Sequence, residues 1–125
     1  MWRIIDRNSH LDSLGEMYSI FLKYALGDGK ENGIVLTPPY VTKLMNELIE
    51  VDRHSKVLDP CTGSAGFLVS SMSHMIEDMR THEATDVCQD MEKHIKGQQL
   101  LGIENDRKMF SLAATNMILR GDGSS

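Results

Sequence analysis

The chain has 125 residues, 41% of them hydrophobic and 25% charged, with a formal net charge of −5. This length suffices for one compact domain, and no apolar run approaches the roughly 20 residues needed to cross a bilayer. An acidic domain is expected to bind nucleic acid poorly through its own surface, so any grip on DNA should lie elsewhere. The first ten residues, MWRIIDRNSH, have neither the apolar run nor the cleavage site of a signal peptide.

The two cysteines, Cys61 and Cys88, form no CxxC pair, and no histidine stands at ligand spacing from either of them. We therefore predict no metal site and a reducing, cytoplasmic location.

The first predicted helix covers residues 11–26, where Ser13 and Glu16 fit a capping box. Its apolar residues recur at helical spacing: Leu11, Leu14, Tyr18, Phe21, Leu22 and Ala25. The glycine-rich stretch GDGKENG (27–33) predicts a loop after it.

Thr37 and Pro38 predict the start of a second helix, because threonine is a good N-cap and proline is tolerated in a first turn. The apolar stripe of this helix is expected to face the core: Val41, Leu44, Met45, Leu48 and Ile49.

A short buried strand is predicted at 56–59, and the turn at 60–64 leads into a third helix. One face of that helix is apolar: Leu68, Met72, Met75, Ile76 and Met79. The polar stretch 80–97 predicts a long connection with a short helix at 87–95.

The apolar run 99–104 predicts a second strand, and Asp106 is expected to cap a fourth helix that ends at Gly121. The residues expected to face inward are Phe110, Ala113, Ala114, Met117 and Ile118. The strand–helix–strand order predicts an α/β fold with parallel pairing and a right-handed crossover. Because two strands are too few for a stable doubly wound sheet, we expect the remaining strands after residue 125.

The candidate site lies at the carboxyl ends of the two strands, where open α/β sheets bind ligands. Asp59 ends the first strand, Gly63 and Gly66 allow a close backbone approach, and Glu104 ends the second. GxGxxG, GxxxxGK[ST] and GxSxG are absent, which disfavours a dinucleotide, a P-loop and a nucleophile elbow. The ligand class that remains is a nucleoside with a cationic amine and no phosphate. Asp59 could pair with the amine and Glu104 could bond the ribose, and S-adenosylmethionine has both groups. Each feature also has an alternative interpretation when it is taken alone. The turn could be only a tight connection between a strand and a helix, and Glu104 could be a solvated surface acid.

Three stretches resemble the motifs of N6-adenine DNA methyltransferases, in the order found in the modification subunits of type I restriction–modification systems. DPCTGSAGFL (59–68) resembles the first cofactor motif, with Ala65 where many members have glycine. GIEND (102–106) resembles the second motif, and LTPPYVTKLMNELI (36–49) resembles the segment that precedes the first. The resemblance spans residues 11–121 and implies a partial Rossmann-like, S-adenosylmethionine-dependent methyltransferase fold with N-terminal helices. Because alanine disfavours positive φ, the turn is expected to differ slightly at Ala65.

The resemblance also implies roles for individual residues. Asp59 would receive the amino group of the cofactor, residues 61–66 would hold its methionine portion, and Glu104 would bond the ribose. The full set of implied cofactor-binding residues is Thr37, Pro38, Asp59, Pro60, Cys61, Thr62, Gly63, Ser64, Ala65, Gly66, Phe67, Glu104 and Asn105.

The TPPY tetrad (37–40) is similar to the catalytic Asn/Asp-Pro-Pro-Tyr/Phe tetrad but precedes both cofactor motifs. We interpret Thr37-Pro38 as a helix start that closes over the methionine end of the cofactor. The catalytic tetrad is expected beyond residue 125, so residues 1–36 would be a helical segment and loop and 37–125 the first part of the catalytic domain.

In the full-length protein, the implied partners are DNA and the specificity and restriction subunits, with no membrane. A methyltransferase of protein or small molecules, and a non-enzymatic interaction module, remain as alternatives.

Overall fold

The computed structural model describes residues 7–26 and 36–121, and of residues 7–12 it describes the backbone. The predicted loop at 27–33 lies outside the described residues. Five helices and two strands follow one another along the described chain: α1 (Arg7–Ala25), α2 (Pro39–Leu48), β1 (Val57–Asp59), α3 (Gly66–His82), α4 (Thr85–Gln98), β2 (Leu100–Gly102) and α5 (Arg107–Leu119). None of these helices is both long and apolar enough to span a bilayer.

The two strands pair in parallel, as predicted, with Val57 opposite Leu100 and Asp59 opposite Gly102. The carboxyl ends of both strands therefore lie at one edge of the sheet. The prediction of a buried strand at 56–59 is wrong for one face, since the side chain of Leu58 is 58% exposed. Successive side chains of a strand point to opposite faces, and α3 packs against the face that carries Val57 and Leu100.

The core is built around α3, whose predicted apolar face is confirmed. Three methionines of α3 are almost completely buried, and Ile95 of α4 and Met117 of α5 pack against the same cluster. The α3 methionines are Met72, Met75 and Met79. Unbranched thioether side chains fill irregular gaps between helices that cross at different angles.

The fourth predicted helix, α5, begins as expected, because the Asp106 carboxylate accepts hydrogen bonds from the backbone amides of Lys108 and Met109, both at 2.9 Å. Gly121 follows the helix with a φ of 82°, in the region that glycine enters without strain. Phe110 and Ile118 were expected to face inward, but both are exposed. Both line a cavity of about 270 Å³ that Leu68 of α3 also lines.

Helix α2 differs from the prediction in its start and in its buried face. Pro38, not Thr37, is the N-cap, and its side chain makes no capping hydrogen bond. The predicted apolar stripe is exposed apart from the half-buried Val41, and Thr42 and Asn46 are buried instead. Asn46 accepts from the Ser71 hydroxyl at 2.8 Å and donates to Ser70 Oγ at 3.1 Å. The buried contact between α2 and α3 therefore includes side-chain hydrogen bonds that an apolar stripe does not predict.

Helix α1 starts before residue 11, so the predicted capping box at Ser13 and Glu16 is wrong. Leu22 is fully buried, whereas Phe21 is exposed. The helix packs on α5, where the Tyr18 hydroxyl donates to the carbonyl of Leu112 at 3.2 Å.

Helix α4 occupies most of the stretch predicted to be a long connection, and only residues 83 and 84 separate it from α3. Ile95 is its buried residue. Its polar face carries an ion pair between Lys96 and Glu92 at 2.8 Å. On the opposite side, Cys88 and Met91 pack against the core together with Ile95.

Candidate cofactor site

The carboxylate of Asp59 stands at the end of β1 with one oxygen satisfied and the other not. Oδ1 accepts a hydrogen bond from the backbone amide of Cys61 at 3.1 Å. Oδ2 is buried and has no hydrogen-bond partner among the described residues. Buried polar atoms in folded proteins almost always have a partner, so this oxygen fits a donor supplied by a ligand. A cationic amine is the donor that a buried carboxylate oxygen favours most strongly.

Thr62 lies in the turn that follows Asp59 and forms hydrogen bonds with the ends of both strands. Its backbone amide donates to the carbonyl of Ile103 at 3.0 Å, and its hydroxyl donates to the carbonyl of Asp59 at 3.0 Å. A Cβ at Gly102 would lie 2.5 Å from the Thr62 hydroxyl oxygen. Glycine at this position therefore leaves the space that Thr62 needs to lie against β2.

Two residues of the turn have positive φ, Gly63 at 56° and Ala65 at 67°. Ala65 has this left-handed conformation despite its Cβ, at a cost of roughly 1–2 kcal/mol. The methyl group of Ala65 is fully buried, and its amide donates to the carbonyl of Thr62 at 2.9 Å. Gly63 and Gly66 face open space, because a Cβ at either position would meet nothing within 4 Å.

Glu104 was predicted to end the second strand, but β2 ends at Gly102, and Glu104 lies in the segment after it, bonded to the same turn. Its Oε1 accepts from the backbone amide of Asp106, and its Oε2 accepts from the backbone amide of Gly63, both at 2.8 Å. These two amides, that of Asp106 above all, lower the pKa of Glu104, so the carboxylate is ionised at neutral pH. Each oxygen retains a lone pair that can accept a ligand hydroxyl. Asp59 and Glu104 thus meet at one glycine turn.

Four further predicted residues flank these carboxylates. Pro60 and Cys61 lie exposed in the turn, and Cys61 is a free thiol. Phe67 is half-buried in the first turn of α3, and Asn105 is exposed between Glu104 and Asp106. The described part of the chain contains no group of three or more side chains that could hold a metal ion.

The remaining predicted residues divide between two cavities beside the turn. A cavity of about 370 Å³ is lined by Thr37 of the segment before α2, together with Ser64 and Gly66. A second cavity of about 270 Å³ is lined by Thr62, Ala65 and Glu104, among others. Pro38 is exposed at the start of α2. The structure therefore brings Thr37 to the turn, but on a different cavity from Glu104.

One residue at this site escaped the sequence prediction. The side chain of Asn116, in α5, is 3% exposed and donates a hydrogen bond to the carbonyl of Ser64 at 2.8 Å. The available signal was a polar residue between Ala113 and Met117 on an otherwise apolar helix face, since such a residue must find a partner in the core.

The sequence profile of the family described as N-6 DNA Methylase matches residues 9–124. The chain belongs to that family. The prediction from the three motifs is confirmed at this level.

Three relatives illustrate the family, and each is much longer than this chain. A type II restriction enzyme and methyltransferase, RM.BcgI of Heyndrickxia coagulans, is 44% identical over 97% of this chain and 18% of its own length. The MjaVII type I methylase subunit of Methanocaldococcus jannaschii is 30% identical over 88% of this chain and 16% of its own. The EcoEI type I methylase subunit of Escherichia coli is 29% identical over 86% of this chain and 20% of its own. The chain therefore spans about a fifth of the length of these relatives.

The fold has a counterpart among solved structures. A modification subunit assigned to a type I restriction enzyme of Vibrio vulnificus YJ016 superposes with a TM-score of 0.69 and 22% sequence identity. The match covers 94% of this chain and 23% of that subunit. This N-6 DNA methylase chain thus has the predicted α/β, partial Rossmann-like architecture.

Proposed function

We propose that this chain is the cofactor-binding portion of a DNA methyltransferase that transfers a methyl group from S-adenosylmethionine to N6 of adenine. Membership of the N-6 DNA methylase family supports the reaction class. The observation that carries the cofactor assignment is the buried Oδ2 of Asp59, which has no hydrogen-bond partner within residues 7–26 and 36–121 and lies beside a glycine turn. That atom calls for a hydrogen-bond donor, and the α-amino group of S-adenosylmethionine would supply it.

Each part of the site has a role in this proposal. Asp59 would bind the amino group, and the open faces of Gly63 and Gly66 would let the methionine portion approach the backbone. Glu104, held ionised by the amides of Gly63 and Asp106, would accept hydrogen bonds from the ribose hydroxyls. Asn105 is exposed three residues after the end of β2, where it would lie beside the adenine.

The bound cofactor would supply a sulfonium methyl group already activated for transfer. The residues of this chain would contribute by holding it in one orientation, which favours in-line attack. The target base would have to leave the duplex to reach the site. Tyr40 is 74% exposed in the first turn of α2, and we propose that TPPY belongs to the cofactor side of the site and that the catalytic tetrad lies elsewhere in the full-length protein.

Calorimetric titration of the full-length protein with S-adenosylmethionine tests the cofactor assignment, and transfer of labelled methyl groups to DNA tests the reaction. Replacing Asp59 by the isosteric asparagine should weaken binding by roughly ten- to a hundredfold, as expected for the loss of a charged hydrogen bond. Asp52→Asn is the matched control, because Asp52 precedes β1 and bonds only local groups, Ser55 and the amide of His54. Undetectable binding by the native protein, or equal affinity for native and Asp59→Asn protein, would contradict the assignment.

The partners depend on the kind of system that the protein serves. Similarity to two type I methylase subunits supports assembly with specificity and restriction subunits, which would supply the DNA contacts that a domain of charge −5 lacks. The 44% identity to a protein named as both restriction enzyme and methyltransferase favours a second candidate, in which one polypeptide has both activities. A nuclease assay on the purified full-length protein separates them, since only the second candidate cleaves DNA without added subunits.

We also propose a cytoplasmic location, where DNA is accessible and where the free thiols of Cys61 and Cys88 stay reduced.

A further inference from the structure

We infer that Asn116 is a positioning residue for the cofactor turn, and that it acts by fixing the peptide group between Ser64 and Ala65. This inference rests on the proposed function, because it gives that peptide a task in binding S-adenosylmethionine. Asn116 lies on α5, 52 residues from Ser64 in sequence, and its side chain is buried.

The peptide group between Ser64 and Ala65 is held at both of its ends. Its carbonyl accepts from Asn116 Nδ2 at 2.8 Å, and its N–H donates to the carbonyl of Thr62 at 2.9 Å. The same peptide precedes the φ of 67° at Ala65, a conformation that alanine leaves when nothing restrains it. The two hydrogen bonds therefore supply the restraint that keeps Ala65 left-handed.

The orientation of the Asn116 amide is itself determined by its partners. Arg120 Nε donates to Asn116 Oδ1 at 3.4 Å, and a guanidinium has donors only. The carbonyl of Ser64 is an acceptor only, so the amide nitrogen must face the turn. Arg120 also donates to Ser19 Oγ at 3.0 Å, which anchors it on α1.

The consequence for the ligand follows from what lies next along the chain. Ala65 is the N-cap of α3, and its conformation sets the direction of the Gly66 backbone. Ser64 and Gly66 both line the 370 Å³ cavity that Thr37 reaches. If the peptide rotated, the first amides of α3 would turn with it, and the backbone surface offered to the methionine portion would change.

Asn116→Asp is the informative variant, because the carboxylate can still accept from Arg120 but presents no donor to Ser64. In hydrogen-exchange mass spectrometry of the cofactor-free, full-length protein, peptides covering 61–67 should exchange at least roughly threefold faster, relative to peptides of central α3. Affinity for S-adenosylmethionine should fall by roughly three- to tenfold. Asn46→Asp is the matched control, since Asn46 is equally buried but bonds Ser70 and Ser71 between α2 and α3.

Adding Ala65→Gly separates positioning from a general loss of packing. Glycine adopts positive φ without strain, so Asn116→Asp should cost much less affinity in a protein with glycine at 65 than in the protein with Ala65. Arg120→Met provides a second variant, which can be used if Asn116→Asp does not fold. Because Arg120 acts on the turn only through Asn116, the loss of its guanidinium should speed hydrogen exchange at 61–67 by a smaller factor than Asn116→Asp does.

Unchanged hydrogen exchange at 61–67 in both the Asn116 and the Arg120 variant would overturn the inference. It would also be overturned if Asn116→Asp lowered the affinity for S-adenosylmethionine equally with alanine and with glycine at position 65. The exchange comparison needs no cofactor. If the native protein bound no S-adenosylmethionine, the proposed function would fail while the exchange rates still decided the role of Asn116.

Discussion

Replacing Gly66 by alanine should separate the requirements of folding from those of cofactor binding. Gly66 is the first residue of α3, its φ is not positive, and a Cβ there would meet nothing within 4 Å. Alanine is favoured over glycine in helices by roughly 0.5–1 kcal/mol, and a first-turn position should give the lower part of that range. We therefore expect Gly66→Ala to leave the free energy of unfolding unchanged or to raise it by up to about 0.5 kcal/mol.

Cofactor binding should change in the opposite direction. The open space at Gly66 is where the methionine portion would approach the backbone, so a methyl group there would prevent contact at van der Waals distance. We expect the affinity for S-adenosylmethionine to fall by at least about tenfold, which corresponds to roughly 1.4 kcal/mol. Isothermal titration calorimetry measures the affinity, and urea unfolding of the cofactor-free protein measures the stability.

Gly63→Ala is the matched control, because that site is equally open but has a φ of 56°. It should lower the free energy of unfolding by about 1–2 kcal/mol through backbone strain. Native affinity in a folded Gly66→Ala protein would refute the placement of the cofactor against this turn. If Gly66→Ala lowered the free energy of unfolding as much as Gly63→Ala does, the conclusion that a Cβ at Gly66 fits without a clash would be wrong.

Three further predictions concern the supports of the site. Gly102→Ala should lower the free energy of unfolding by about 1–3 kcal/mol in urea titrations, because the new Cβ would overlap the Thr62 hydroxyl, and an unchanged midpoint would contradict this. Asp106→Ala should cost about 1 kcal/mol by removing the N-cap of α5, and circular dichroism melts of the variant should show a lower Tm. The backbone amide of Arg53, aided by its guanidinium, lowers the pKa of Asp78 below the ordinary 3.8. Asp78 therefore stabilises the fold above that pH and loses this effect as the pH falls through the lowered pKa, so Asp78→Asn should flatten the acid limb of stability against pH.

Elements with strong local signals were predictable from sequence, and those set by tertiary hydrogen bonds were not. Asp106 capped the predicted helix because an N-cap aspartate acts on amides two and three residues away. The buried face of α2 was predicted wrongly because it is set by hydrogen bonds to Ser70 and Ser71 of α3. The apolar periodicity of residues 39–48 carries no information about these partners. Helix α4 was underestimated because most of its residues are polar, although Cys88, Met91 and Ile95 recur at helical spacing and pack against the core.

The residues of the candidate site also differ in how far the sequence predicts them. Asp59 ends β1 as predicted, whereas Glu104 lies two residues beyond the end of β2 at Gly102. Their meeting at one turn follows from parallel pairing. The left-handed Ala65 could not be predicted from an alanine, since residues with a Cβ rarely adopt that conformation. The contribution of Asn116 required knowing that α5 lies against the turn.

The sulfur-rich interior of α3 has a consequence for oxidative damage. Met72, Met75 and Met79 are shielded from solvent, whereas Met17 and Met45 are 62% and 45% exposed. Peroxide should convert the two outer thioethers to sulfoxides while the protein stays folded, and should reach the inner three only when α3 detaches. A sulfoxide formed there would be too polar to return to an apolar interior, so each opening in the presence of oxidant would become irreversible.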